Sequence, residues 1–204
     1  MKIESAKKID EGELDARYSP KPPQGGLVVR VHGKVLSGYP DTDDKHTEIF
    51  QSATSRDNLW MTAKEHQALV RGEVPRQLQE RIARFHLTDA TRGEPPMWKQ
   101  DQIKQLEITI KGTELSGNVH LETADGKRGY VAEIFGEIMT SGEKVTQLRA
   151  VAKGEFWGHG RYTRNPPPGK FPLAIRLTLA DQSDVADAIP PQASRGWVRG
   201  YLEN

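Results

Sequence analysis

LSGNVHLETADGKRGYVAEIFGEIMT, residues 115–140, contains the strand pattern from which the fold class is predicted. Apolar and polar residues alternate on both sides of Asp125-Gly126, and a period of two is typical of strands with one buried face. An Asp-Gly pair between two such runs is a strong signal for a two-residue type I′ hairpin turn. The stretch therefore predicts two antiparallel strands in which Leu121 lies opposite Tyr130.

The flanking sequence extends this hairpin into a meander. LEITI at 106–110 and VTQLRAVAKGEFWG at 145–158 show similar alternation, and FPLAIRLTLA at 171–180 predicts one further strand. We therefore expect an α+β protein, mainly β, whose antiparallel meander over residues 105–180 forms a barrel-like or strongly curved sheet.

The predicted register gives the meander two different faces. With a three-residue loop at 141–143, Ile134 lies opposite Ala150. The first face is a plain apolar core, formed by Val119, Leu121, Tyr130, Ala132, Ile134, Ile138, Leu148, Ala150 and Ala152. The second face mixes charged and apolar residues: Asn118, His120, Glu122, Val131, Glu133, Phe135, Glu137, Gln147, Arg149, Val151, Lys153, Glu155 and Trp157. A purely solvated face would carry fewer apolar residues, so we expect the second face to be partly covered or to line a cavity.

Two short helices are predicted before the meander, and we expect both to pack against it. Thr62 and Glu65 have the spacing of a capping box, which predicts a helix over about 63–71. Pro75 suits the first turn of a second helix, over about 75–86.

The chain divides into an arm and one domain. Residues 1–26 are charged and end in Pro and Gly, which is typical of an N-terminal arm. LVVRVHGKVL at 27–36 predicts a strand, and the turn-rich, acidic residues 37–58 predict a long loop. We expect a single α+β domain over 27–204, made of a helical and loop segment at 37–104, the meander at 105–180 and a docked C-terminal tail at 181–204.

Composition excludes several classes of function. The chain has no cysteine, which rules out thiol catalysis, disulfides and cysteine-held zinc or iron–sulfur clusters. The net charge is +1, so we expect no nucleic-acid binding. No stretch approaches the roughly 20 apolar residues of a membrane span. No signal peptide is visible, which predicts a soluble, cytoplasmic protein, or a periplasmic or secreted one if a leader has been removed.

The second face carries the candidate catalytic residues. His120 and Glu122 lie two apart on one strand, roughly 7 Å along it, with Glu133 on the next strand. An imidazole and a carboxylate at this spacing can act as an acid–base pair or share a metal ion. The alternative is a solvated face with cross-strand ion pairs to Arg149 and Lys153.

The most unusual segment is FWGHGRYTRNPPPGKFP at 156–172. Its aromatic and arginine side chains can recognise a planar or anionic ligand. With the basic residues of the second face, the candidate ligand-binding residues are Arg149, Lys153, Trp157, His159, Arg161, Tyr162 and Arg164. The alternative is a rigid connection whose aromatic residues plug one end of a barrel.

A second polar cluster follows the predicted helices. His86, Asp89, Arg92 and Glu94 lie within RFHLTDATRGEPPMW at 84–98. They form either a binding loop or a helix end in which Arg92 and Glu94 fix the loop.

Three functions remain open, because no specific catalytic or cofactor motif is present and the cofactor is undetermined. The first is a module that binds a small molecule or a partner on the second face. The second is an enzyme with hydrolase- or isomerase-type acid–base chemistry at His120 and Glu122, with or without a divalent metal. The third is an accessory subunit of an assembly, whose tails at 1–26 and 188–204 pack on another chain, for example in a tail-mediated homo-oligomer.

Overall fold

One antiparallel sheet organises the protein. The computed structural model describes residues 20–181, 183–194 and 197–203, so most of the predicted N-terminal arm lies outside the described residues. Seven strands are present in this part of the chain: β1 Leu27–Val35, β2 Thr54–Met61, β3 Ile103–Lys111, β4 Glu114–Glu122, β5 Gly129–Ser141, β6 Lys144–Trp157 and β7 Lys170–Leu179.

The order of the strands is β2-β1-β7-β6-β5-β4-β3, and every pairing is antiparallel. The expected α+β, mainly β architecture is confirmed. Closure into a barrel is not, because β2 and β3 end the order without pairing with each other. The C-terminal segment lies against the terminal strand β2, where the Asn58 amide donates to the carbonyls of Ala186 and Ile189.

Helices lie before and after the meander. They are α1 Lys45–Gln51, α2 Ala63–Val70, α3 Arg76–Arg81, which continues as a π-helical turn Ile82–His86, and α4 Val198–Glu203. Short 3₁₀ turns cover Gln100–Gln102, Val185–Ala188 and Gln192–Ser194. Among the described residues, none of the helices has the length and apolar character needed to cross a bilayer.

The two predicted helices are confirmed, and the predicted long loop is wrong. Thr62 and Glu65 form both hydrogen bonds of the capping box at the start of α2. The segment 37–58, however, contains α1 and most of β2. Asp57 and Asn58 are polar residues in this strand because the distant C-terminal segment supplies their hydrogen bonds, which the local sequence does not show.

The inner face of the sheet is the apolar core. All nine residues predicted for the core face are buried, including Leu121, Tyr130 and Ala152 at 0% exposure. Apolar residues of α2, of α3 and of the segments next to them pack on this face, namely Leu69, Val74, Leu78 and Ile82.

The register of the first hairpin is confirmed, with Leu121 opposite Tyr130. Its turn is not the predicted two-residue type, because the Gly126 N–H donates to the Thr123 carbonyl and four residues separate Thr123 from Arg128. The Thr123 hydroxyl stabilises this longer turn through hydrogen bonds with Asp125 and the Arg128 backbone.

The predicted register of the second hairpin is wrong by two residues. Ile134 lies opposite Ala152, because Ser141 pairs with Lys144 across a shorter turn and a bulge falls between Met139 and Thr140. A shift of two residues keeps every side chain on its face. The predicted faces therefore survive the wrong register.

The outer face is open to solvent over the meander, whereas we expected it to be partly covered. Val131, Phe135 and Met139 are 43%, 52% and 47% exposed. The helices leave this face open because they pack on the inner one. Asp187 of the C-terminal segment reaches the outer-face residues Arg30 and Arg56, which lie on β1 and β2.

Candidate functional site

A cleft of about 320 Å³ opens on the helix side of the sheet, at the end of β1, β2 and β7 that the helices leave uncovered. Its walls are mostly apolar: Val31, Phe85, Ala90, Pro95, Pro96, Met97, Tyr162, Ile175 and Ala193. Its polar lining comes from Ser55, Asp57, His86, Thr88, Glu94, Arg161 and Gln192. Apolar walls with a few convergent polar groups are typical of small-molecule sites.

Asp57 is a partly buried anion in the cleft. One carboxylate oxygen accepts hydrogen bonds from the backbone N–H groups of Asn58 and Gln192, both at 2.8 Å. The other oxygen lies 3.2 Å from Nδ1 of His86. Burial alone would raise the pKa of Asp57, but His86 and the two backbone N–H groups outweigh it and hold the pKa below its usual value. Asp57 is therefore a carboxylate at neutral pH.

His86 connects the cleft to the core. Its side chain is fully buried at the end of the π-helical turn, and Nε2 lies 2.7 Å from the Tyr201 hydroxyl. Burial raises the pKa of Tyr201 well above its usual value, so the hydroxyl keeps its proton. That hydroxyl also accepts a hydrogen bond from the Trp60 backbone. A hydroxyl that keeps its proton is able to donate it to Nε2, and the tautomer of His86 that accepts this hydrogen bond carries its ring proton on Nδ1, next to Asp57.

Two polar atoms at the cleft lack a well-directed hydrogen bond. Nδ1 of His86 is close to Asp57 but poorly aligned with it, and the buried Thr88 hydroxyl has no partner among the described residues. Buried polar groups are nearly always paired, so unpaired ones at a cleft indicate a place for ligand atoms or water.

Buried arginines hold the walls in place. Arg92 forms an ion pair with Asp89 and donates to the carbonyls of Thr163 and Arg164 at 2.7 and 2.9 Å. This contact ties the loop after the π-helical turn to the segment that follows β6. The segment after β6 therefore reaches the cleft, where Arg161 and Tyr162 line the wall.

Arg128 supports the opposite wall. Its guanidinium lies 3.7 Å from the centre of the Trp98 ring and donates to the Pro96 carbonyl at 2.9 Å. The Trp98 indole N–H donates to the Leu87 carbonyl at 2.9 Å. Burial lowers the pKa of Arg128 to about 10, so the side chain remains cationic at neutral pH.

The residues predicted to bind a ligand do not lie together in the structure. Arg161 and Tyr162 line the cleft. Arg149 and Lys153 lie exposed on the outer face, and His159 and Arg164 are exposed in the loop after β6. Trp157 lies over Gly129 at the same end of the sheet, and its indole N–H donates to the Gly126 carbonyl at 2.9 Å.

Two of the three predicted catalytic residues, His120 and Glu122, are in contact. Nε2 of His120 lies 2.9 Å from Oε2 of Glu122, and both side chains are about one-third exposed on the outer face. Glu133 pairs with Asn118 on β4 rather than with His120. Among the described residues, no three histidine, aspartate or glutamate side chains come together as a metal site.

Sequence reasoning missed Asp57, Thr88 and Gln192. The sequence predicts a loop at Asp57 and a tail at Gln192, because no local pattern links the two segments. His86 belonged to a predicted polar cluster, and one signal for the site was present there: a histidine between apolar residues just before a proline-rich loop. Comparisons with protein-family models, with curated proteins and with solved structures found no match for this chain.

Proposed function

We propose that this protein binds a small molecule in the cleft between the sheet and the loops at 88–97 and 161–162. The observation that carries the proposal is an apolar cleft of about 320 Å³ that converges on one partly buried carboxylate, Asp57. A volume of this size lies at the lower end of the range for small-molecule sites.

The lining selects the chemistry of the ligand. Its body must be apolar, since Val31, Phe85 and Ile175 form the walls near the sheet. Its polar group must donate a hydrogen bond, because Asp57 is an acceptor and is negatively charged. A cationic amine or a neutral amide satisfies Asp57. A carboxylate would be repelled, because Asp57 and Glu94 place two negative charges in the lining against the one guanidinium of Arg161.

A matched set of aromatic compounds tests this class. Benzylamine, benzamide and benzoate share one apolar ring and differ in the polar group. In two-dimensional NMR titrations we expect the first two to shift the backbone signals of Phe85, Thr88 and Ala193. Benzoate should bind at least about tenfold more weakly, which corresponds to about 1.4 kcal/mol of repulsion.

Three variants locate the binding. Ala90→Trp fills the cleft and should abolish the shifts, while Ala188→Trp adds the same ring at an exposed position and should leave them unchanged. Asp57→Asn should weaken the binding of benzylamine more than that of benzamide, since only the amine carries a charge. The proposal fails if none of the compounds shifts cleft residues, or if Ala90→Trp leaves the shifts intact.

Acid–base chemistry at His120 and Glu122 is the second candidate, favoured by their 2.9 Å hydrogen bond. The pair lies on an open sheet face that does not enclose a substrate, which is why the cleft comes first. Hydrolysis of an activated ester, p-nitrophenyl acetate, tests it. His120→Gln should remove such activity and His159→Gln, at an exposed loop position, should not.

A further inference from the structure

The outer face of the meander exposes an apolar stripe. Val131, Phe135 and Met139 alternate with Glu133 and Glu137 along β5 and are 43%, 52% and 47% exposed. The partly buried Val151 lies opposite Phe135 on β6, so this pair forms the apolar centre of the stripe. Exposed apolar residues grouped among polar ones mark interaction surfaces. The stripe runs along the middle of the four-strand surface formed by β4, β5, β6 and β7.

Charges of opposite sign lie on the two sides of this stripe. The outward glutamates of β3, β4 and β5 form an acidic half: Glu107, Glu114, Glu122, Glu133 and Glu137. The outward basic residues of β6, β7 and β1 form a basic half: Arg149, Lys153, Lys170, Arg176 and Lys34. Lys111 and Glu155 are exceptions, and Glu155 is 3.7 Å from Lys170. Arg30 of β1 also points outward, but it is already paired with Asp181 and Asp187. The border between the halves is the β5–β6 pair.

The charges nearest the border form no ion pair with one another within the described part of the chain. Glu133 and Lys153 are cross-strand neighbours, as are Glu137 and Arg149. Glu137 accepts a hydrogen bond from the neutral Gln147 amide, which leaves its charge without a counter-ion. These four side chains are exposed and point away from the core, so their charges are available to a partner.

We propose that a second copy of this chain covers the outer face, in a two-fold symmetric dimer. A two-fold axis along the β5–β6 border places β6 of one subunit over β5 of the other, at the same height along the strands. Lys153 then faces the partner's Glu133. Val151 faces the partner's Phe135 in the centre of the interface.

The charge pattern selects this axis over its alternative. An axis across the strands would place β6 on β6, so that Arg149 and Lys153 would face basic residues. The axis along the border instead brings Arg149 to the partner's Glu137, and the basic half of each subunit to the acidic half of the other. Complementary charge specifies such an arrangement, while the apolar stripe contributes the buried area.

Light scattering during size-exclusion chromatography measures the molar mass of the protein in solution. The wild-type protein should elute at twice the mass of one chain at micromolar concentration. Lys153→Glu and Glu133→Lys each turn two attractive contacts per dimer into repulsive ones, so each should raise the dimer Kd on the order of tenfold or more. Lys144→Glu makes the same charge change at the exposed tip of the β5–β6 hairpin and should have no effect.

Mixing the two variants separates contacts between subunits from contacts within one chain. In a mixed dimer the glutamate introduced at position 153 faces the lysine introduced at 133, and the native Lys153 faces the native Glu133. We expect the mixture to form dimers although each variant alone is monomeric. No contact within a single chain can produce that rescue.

Two results would overturn the proposal. One is a monomeric wild-type protein, whose outer face would then be open to a partner other than a second copy. The other is a dimer that neither charge reversal weakens and that the mixture does not restore. Thermal unfolding of each variant, followed by circular dichroism, checks that loss of the dimer is not loss of the fold.

Discussion

Arg81 joins three helices next to the cleft, and replacing it tests how much this contact stabilises the fold. The side chain is almost fully buried in α3, where Nη1 lies 2.8 Å from a Glu65 carboxylate oxygen. Nε and Nη2 donate to the carbonyls of Tyr201 and Leu202 at 2.8 and 2.6 Å. One guanidinium therefore joins α3, the capping box of α2 and the C-terminal helix α4, which carries the tyrosine that contacts His86.

We expect Arg81→Met to lower the free energy of unfolding by about 3–5 kcal/mol. Methionine keeps much of the apolar stem, so the loss is that of the guanidinium rather than of packing volume. Glu65 would remain as a buried carboxylate without its cation, and two carbonyls of α4 would lose a charged donor. A loss of this size is a large share of the about 5–15 kcal/mol that stabilises an ordinary domain.

Arg76→Met is the matched control, since it removes an arginine from the same helix. Arg76 is more than half exposed, forms an ion pair with Glu80 at 2.6 Å and donates to the Leu106 carbonyl at 3.1 Å. An exposed ion pair contributes about 0–1 kcal/mol and a single hydrogen bond about 1 kcal/mol, so the control should cost at most about 2 kcal/mol.

Urea unfolding followed by circular dichroism gives both values if the transition is two-state. The double variant Arg81→Met/Glu65→Gln should be more stable than Arg81→Met alone, because it removes the uncompensated charge. Equal losses of stability in Arg81→Met and Arg76→Met would contradict this expectation, and so would an added Glu65→Gln that only destabilises the protein further.

Three further outcomes follow from single contacts. Because the folded pKa of Asp57 is depressed, its stabilising effect is present above the ordinary pKa of 3.8 and is lost as pH falls through the folded value. Asp57→Asn should therefore cost stability at pH 6, and the difference from wild type should shrink below pH 4 in urea titrations. Tyr130→Phe removes the hydroxyl that contacts two backbone carbonyls and should cost about 1 kcal/mol by the same assay. Gly93→Ala should destabilise by more than about 1 kcal/mol and reduce benzylamine affinity, since φ is +134° and a Cβ would meet the Tyr162 carbonyl at 2.4 Å.

The meander was predictable because its pattern is local. The alternation from Leu115 to Thr140 separates the core face from the outer face, and a two-residue error in the β5–β6 register left both faces correct. The capping box at Thr62 was equally visible, since its two residues lie three positions apart and their hydrogen bonds depend only on each other. Features of this kind depend on neighbouring residues alone.

The cleft was not predictable because its parts are distant in the sequence. Asp57 is held by Gln192, 135 positions later, and His86 is held by Tyr201, 115 positions later. A polar strand such as β2 has no alternation at Asp57 and Asn58 that a pattern could detect. Its burial is explained only when the C-terminal segment covers it.

The two proposed surfaces lie on opposite sides of the same sheet, and this separates their tests. The cleft is lined by inward residues of β1, β2 and β7, such as Val31 and Ile175, whereas the dimer contacts are outward residues of β5 and β6. A charge reversal at Lys153 changes no residue of the cleft lining. The monomeric Lys153→Glu variant should therefore bind benzylamine with the wild-type Kd, and the Ala90→Trp variant should remain a dimer. If a charge reversal at Lys153 instead weakened the binding of benzylamine, the two faces would be coupled. The coupling would pass through β7, which contributes Ile175 to the cleft and Arg176 to the outer face.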